Sequence, residues 1–224
     1  MLLQHDYTGT FEAHITVNAP NLSDRKKFSH FCQALSVKCI LIELPQGVMR
    51  SQPMTASHHH GRLKNVLTDV QGLVQKLLDA GFEVARIKIE AMVNNHDVPV
   101  TDEQAQALPA TNYFEFHVKV TLPASEDLQV LRKYCWEHNA HLSTNALKHS
   151  VDGQQQRFIT MRVYSVGHYS AQAHFYTLLS ALKQKGWKLS QPQQEYTVYD
   201  SNLNLDAGWF SIDNQGGEDD HAQY

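Results

Sequence analysis

The chain writes Phe-Glu-Ala-His-Ile-Thr-Val at residues 11–17 and Phe-Glu-Phe-His-Val-Lys-Val at 114–120, 103 residues later. Apolar Phe11, Ala13, Ile15 and Val17 alternate with Glu12, His14 and Thr16. In the second stretch Phe114, Phe116, Val118 and Val120 alternate with Glu115, His117 and Lys119. A period of two gives a strand one apolar and one polar face. The offset outlasts the strand, because Pro20 falls on Pro123, Asp24 on Asp127, Phe28 on Leu131, Phe31 on Tyr134 and Cys32 on Cys135. A chain that repeats itself over this span is expected to fold as two copies of one unit.

The rest of the pattern gives that unit its shape. Residues 23–35 and 125–138 read as amphipathic helices with Ser23 and Ser125 as N-caps, whose hydroxyls accept from unpaired first-turn amides. Two extended pairs follow, joined by Pro-Gln-Gly and by Val-Asp-Gly-Gln-Gln-Gln, which is hairpin chemistry. Pro53, inside one of those strands, points to an edge or a bulge. A second helix sets Val70, Leu73, Val74 and Leu77 at i, i+3, i+4 and i+7, matched by Phe175, Leu178, Leu179 and Leu182. Each runs into glycine and an aromatic, Gly81-Phe82 and Gly186-Trp187, as a left-handed residue after a helix requires. In the final strand Ala85, Ile87 and Ile89 oppose Arg86, Lys88 and Glu90, whereas Pro192 interrupts the counterpart.

Strand, helix, strand, strand, helix, strand is the order of the ferredoxin-like unit. The expected fold is therefore α+β, a tandem duplication of a ferredoxin-like βαββαβ unit, each an antiparallel sheet with two helices on one face. The first repeat spans 10–91 and the second 112–200. The connector, 92–111, carries Thr101-Asp-Glu-Gln104, the pattern of a capping box. Residues 201–224 close the chain, with Trp209 and Phe210 expected to pack back and the acidic, glycine-rich end expected to be disordered.

Composition narrows the functions. With 224 residues, 42% of them hydrophobic, the chain can bury a substantial core. Its net charge of −4 is spread in mixed sign, without the basic face that nucleic acid requires, so nucleic acid is not an expected partner. No run approaches the roughly 20 apolar residues of a membrane span, and the start lacks the pattern of a signal peptide. Cys32, Cys39 and Cys135 have no metal-type spacing and fit free thiols, which points to the cytoplasm. No nucleotide-binding loop, serine nucleophile elbow or zinc-type cysteine set is present, which argues against the enzymes those motifs mark and leaves catalysis open.

Chemistry is expected on the sheet faces that the helices leave open. Alternation puts Glu12, His14, Thr16, Arg86, Lys88 and Glu90 on one such face and Glu115, His117 and Lys119 on the other. A solvated face has the same look. If the two faces meet, His14 and His117 share one cleft. His14-Ile-Thr-Val17 resembles the H-x-[S/T]-x motif of the two-histidine phosphoesterases, in which a duplicated fold presents one histidine and one hydroxyl from each half. The resemblance implies His14 and His117 as a catalytic acid and base pair with the Thr16 hydroxyl on phosphate; Lys119 stands where the second hydroxyl would be.

The leading expectation is thus a small anionic, phosphorylated ligand in a cleft between two sheets. Glu12, Thr16, Arg86, Lys88, Glu115 and Lys119 would bind it and His14 and His117 would act on it. One alternative is a metal-dependent enzyme with Glu12, His14, Glu115 and His117 as ligands to zinc, iron or manganese. The other is a non-enzymatic interaction or dimerisation module using the open faces as interfaces. The run His58-His59-His60 reads as a loop into the second helix. His30, His138, His141, His149 and His174 read as surface positions.

Overall fold

A computed structural model describes residues 5–45, 47–145 and 153–208. His149, Trp209, Phe210 and the acidic end lie outside the described residues. The molecule is mixed α+β, with one large antiparallel sheet and five α-helices among the described residues. The first half runs β1 (Thr8–Asn18), α1 (Leu22–Ala34), β2 (Lys38–Glu43), β3 (Ser51–Arg62), α2 (Leu63–Asp79) and β4 (Glu83–Met92). The connector holds α3 (Asp102–Gln106). The second half runs β5 (Tyr113–Pro123), α4 (Leu128–Glu137), β6 (Ala140–Asn145), β7 (Gln154–Tyr164), α5 (His168–Gln184), β8 (Lys188–Leu189) and β9 (Gln193–Asp200), followed by a 3-10 turn, Leu203–Asp206. No helix among the described residues is long and apolar enough to cross a membrane.

Strands of the first half pair in the order β4-β1-β3-β2, and those of the second in the order β9-β5-β7-β6. They do not form two separate sheets. β4 pairs with β9 and β2 with β6, all antiparallel, so the two four-strand runs join at both edges into a ring. β8 fills the lane of β9 beside β5 before the break at Pro192, pairing at Val120 and Thr121 while β9 pairs from Tyr113 to His117. A ring of eight strand lanes has an interior that side chains can just fill. The two open faces therefore meet across the interior, or lumen, of the ring.

The helices lie on the outer face, which follows from the alternation. Phe11, Ala13, Ile15 and Val17 of β1 and Phe114, Phe116, Val118 and Val120 of β5 are buried in one apolar cluster with Phe28, Val66, Val70 and Leu77 of α1 and α2 and with Leu131, Phe175, Leu178 and Leu182 of α4 and α5. Gly81 and Gly186, at φ +82° and +76°, end α2 and α5 in the left-handed region that a Cβ disfavours. The turn after α2 is closed by the Phe82 amide donating to the Leu77 carbonyl. It delivers Phe82 edge-on to Phe28 and Phe31, while Trp187 meets Tyr134 in the other half. Cys32 and Cys135 are buried beneath these helices as free thiols.

Several local expectations change. The caps of α1 and α4 are Asn21 and Asp127 in place of Ser23 and Ser125, because their side-chain oxygens accept from the amides of Asp24 and Gln129. Pro53 lies in β3, a strand with neighbours on both sides, but the register with β1 ends at Met54, so no β1 ladder bond is asked of the proline. His58, His59 and His60 belong to β3 and not to a loop, since β3 pairs with β1 as far as Arg62. His141 lies buried in β6 instead of at the surface.

The connector is pinned to the second half. Thr101 and Gln104 form the capping box of α3, and Asp102 accepts from the Gly167 amide at 2.8 Å and the Ser170 hydroxyl at 3.0 Å. Gly167 caps α5 so close to the connector that a Cβ there would sit 2.3 Å from the Thr101 carbonyl carbon and 2.5 Å from the Val100 oxygen. Backbone cannot swing aside as a side chain can. Gly167→Ala is therefore expected to cost about 1–3 kcal/mol, the usual scale of overpacking, seen as a lower urea midpoint with unchanged slope.

Candidate functional site

The inner face of the ring is lined by charge. Glu12 and Thr16 on β1, Arg86, Lys88 and Glu90 on β4, Glu115 on β5, Arg162 on β7 and Glu195 on β9 are all buried, with Glu90 only 1% exposed. His14 and His117, on the same face, are part-buried. Buried charge is costly unless paired and hydrogen-bonded, so the lumen stands or falls on its pairing.

Each half builds the same trio. β1 and β4 pair Glu12 with Glu90, and β5 and β9 pair Glu115 with Glu195. The histidine two residues along reaches back between the carboxylates. His14 Nε2 lies 3.7 Å from Glu12 and 3.5 Å from Glu90; His117 Nε2 lies 3.0 Å from Glu115 and 3.7 Å from Glu195. The other ring nitrogen is tied down in both cases. His14 Nδ1 is 3.1 Å from the Thr55 carbonyl, which can only accept, so Nδ1 carries a proton and the neutral ring turns its Nε2 lone pair toward the glutamates. His117 Nδ1 is 2.9 Å from the Thr160 hydroxyl.

Fixed cations are not shared evenly between the trios. Lys88 Nζ bridges Glu90 at 2.7 Å and Glu115 at 2.8 Å, so it ties the first half to the second. Arg162 pairs with Glu115 through Nε and with Asp206 at 2.8 Å through Nη1. Arg86 pairs with Asp200 and, at 2.7 Å, with Asp206. In the second half the register position of Lys88, opposite the histidine, is held by Gln193. Arg86, Lys88 and Arg162 thus pair with Glu90, Glu115, Asp200 and Asp206, while Glu12 and Glu195 add two more carboxyl groups to the same interior.

Protonation follows that imbalance. Burial opposes the charge on Glu115, but Arg162 and Lys88 beside it hold its carboxyl well below the usual carboxylate range. Burial also opposes the Lys88 ammonium, and Glu115 and Glu90 outweigh it, keeping Lys88 charged. Glu195 goes the other way: burial, with the Glu90 and Glu12 carboxylates nearby, pushes it well above its usual value. Burial lowers His14 despite Glu90 and Glu12, and it lowers His141 strongly with the help of Arg162.

Of the residues marked by the sequence, Glu12, His14, Thr16, Arg86, Lys88, Glu115 and His117 all fall on the inner face, and Lys88 and Glu90 bring the two Glu-x-His pairs into one network. Thr16 is buried opposite Arg86 and Met54 in the register. Lys119 stands apart, its amine 5.6 Å from the centre of the Phe158 ring. Arg86 and Lys88, marked as anion ligands, are bonded to carboxylates. One group of side chains has the compactness of a metal site: a ligating atom from each of Glu90, Glu115 and His117 lies within 4.8 Å of the other two. The sequence reading missed Arg162, Glu195 and Asp206. Glu195 was legible in principle, since it follows Glu90 by the same spacing as the second helices follow each other.

No family model matches the chain. No curated protein matches it either. Among solved structures it aligns with a crystal structure described as a candidate chlorite dismutase, at 12% identity and a TM-score of 0.26, covering 85% of this chain and 96% of that one.

The opposed shifts give stability a pH signature. His14 and His141, lowered from 6.5, add stability that is complete above that value and lost as pH falls below it. Glu195, raised from 4.5, adds stability that is complete below that value and lost as pH rises through its folded value. Glu195→Gln keeps the shape of the protonated acid without its charge. In chelator-containing buffer the variant is expected to be more stable than the parent at pH 8, with the advantage shrinking toward pH 4.5. Urea midpoints across that range check it, and a pH-independent difference would contradict the charge explanation.

Proposed function

We propose that the lumen binds a divalent metal ion, with Glu90, Glu115 and His117 as the central ligands and His14 beside Glu90 Oε2. The observation that carries this is the close approach of carboxylate and imidazole donors from both halves. Oxygen and nitrogen donors about 2.1 Å from one tetrahedral ion lie roughly 3.4 Å apart, which is the range of the His–Glu separations here. In metal-binding imidazoles the ring nitrogen away from the ion is held by a protein oxygen, as the Thr55 carbonyl holds His14 Nδ1 and the Thr160 hydroxyl holds His117 Nδ1. A mixed carboxylate and imidazole set suits zinc, manganese or iron(II). An excess of buried carboxylate favours a cation over the phosphorylated ligand that the sequence suggested.

The same features support the duplication. The strand order recurs, and so does the Glu, His and Glu trio, on the first and fourth strands of each half. We read residues 10–91 and 112–200 as two copies of one ferredoxin-like unit, joined by 92–111, whose open faces have been turned toward each other and sealed.

In this reading Lys88 is the ion's competitor, because its ammonium sits between two of the ligands. Metal uptake displaces it, and replacing it removes the competition. Lys88→Met is expected to tighten binding of Zn2+ or Mn2+ about tenfold or more, the scale of one close charge pair, and Glu90→Gln to abolish it. Calorimetric titration of chelator-stripped protein, with elemental analysis of the fresh preparation, tests this. A parent chain that neither carries nor takes up either ion overturns the proposal.

A further inference from the structure

The two trios differ in what faces the first glutamate from the neighbouring strand. Glu115 is opposite Arg162, which is buried and permanently charged. Glu12 is opposite His58, which is exposed. Among the described residues the one ion pair of Glu12 is with His14, so this carboxylate has no fixed cation against it. Two residues further along β3, His60 is exposed opposite Thr10, with its Nδ1 3.3 Å from the Thr10 hydroxyl. His59 between them points to the other face, where it meets the Ser57 hydroxyl at 2.9 Å and Asp69 at 3.8 Å.

Alternation therefore puts the exposed His60 and His58 on one face with Glu12, His14 and the buried Glu90. Directly opposed residues of an antiparallel pair have Cβ atoms about 4.5–5.5 Å apart, so His58 and Glu12 can share one ion. Resting on the metal reading above, we propose that His58 and His60 are the capture site at the mouth of the ring, binding a divalent transition-metal ion from solvent and passing it through Glu12 and His14 to the lumen. Imidazole suits this task because it ligates without adding fixed charge, so the ion is held and then released inward to a site richer in carboxylate. An arginine at position 58, as at the matching position 162, would repel it.

The test is stopped-flow uptake of Co2+, followed by its absorption, in the chelator-stripped full chain. His58→Ala with His60→Ala is expected to slow association about tenfold, the lower end of what local concentration at a charged or ligating mouth contributes. Dissociation slows in step, so affinity stays the same, as it must if the residues form a passage and not the final site. His59→Ala, on the opposite face, leaves the rates unchanged. His58→Glu, which restores a ligating group, recovers part of the loss. Unaltered rates in the double variant overturn the passage while leaving the lumen site intact. A fall in affinity with an unchanged association rate makes these histidines final ligands and overturns it too. A parent chain that takes up no Co2+ removes the lumen site and the passage together.

Discussion

Lys88 donates to Glu90 on its own strand and to Glu115 on the first strand of the other half, and the interior of the ring is organised around that bridge. An ion pair withdrawn from water recovers its desolvation cost only with good geometry and further hydrogen bonds. Glu115 meets that condition by accepting from Lys88, Arg162 and His117. Asp206 meets it by accepting from Arg86, Arg162 and Gln52, which draws the 3-10 turn after β9 onto the lumen. A hydrophobic filling of the same volume would serve stability as well or better.

Ring closure is what takes these groups out of water. A ferredoxin-like sheet standing alone leaves its second face to water, where a Glu-x-His pair is an ordinary polar surface. Joined at both edges, the two sheets face each other across a space that eight strands can fill with side chains. The same alternating residues then change from solvated to buried, and their protonation changes with them. Irregularities help aim them: the register shift between Ile89 and Glu90 sits where β4 turns its carboxylate toward both histidine trios.

Much of this was legible in the sequence. The alternation of β1 and β5, the periodicity of α2 and α5 and the glycines after them are local signals, and each local signal has its counterpart in the structure. The inner-face positions of Glu12, His14, Glu115 and His117 follow from the same alternation. What could not be read was the edge pairing of β4 with β9 and β2 with β6, since hydrogen bonds between strands leave no mark on composition. Arg162 and Asp206 were invisible for that reason, because their importance lies in partners far away along the chain. His58 was misplaced because a histidine run carries little strand preference, and pairing with β1 decided its conformation instead.

The ring closes at two seams. Among the described residues β4 and β9 pair from Lys88 to Met92 across one register shift, and β2 and β6 pair at Ile42 with Asn145 and Glu43 with Thr144. Opening a closed sheet takes the breaking of one seam, and at the β4–β9 seam buried side chains would have to part along with the backbone ladder, Arg86 from Asp200 and Thr197 from Glu90. That seam is thus fastened twice, once by its strands and once by the charges it encloses.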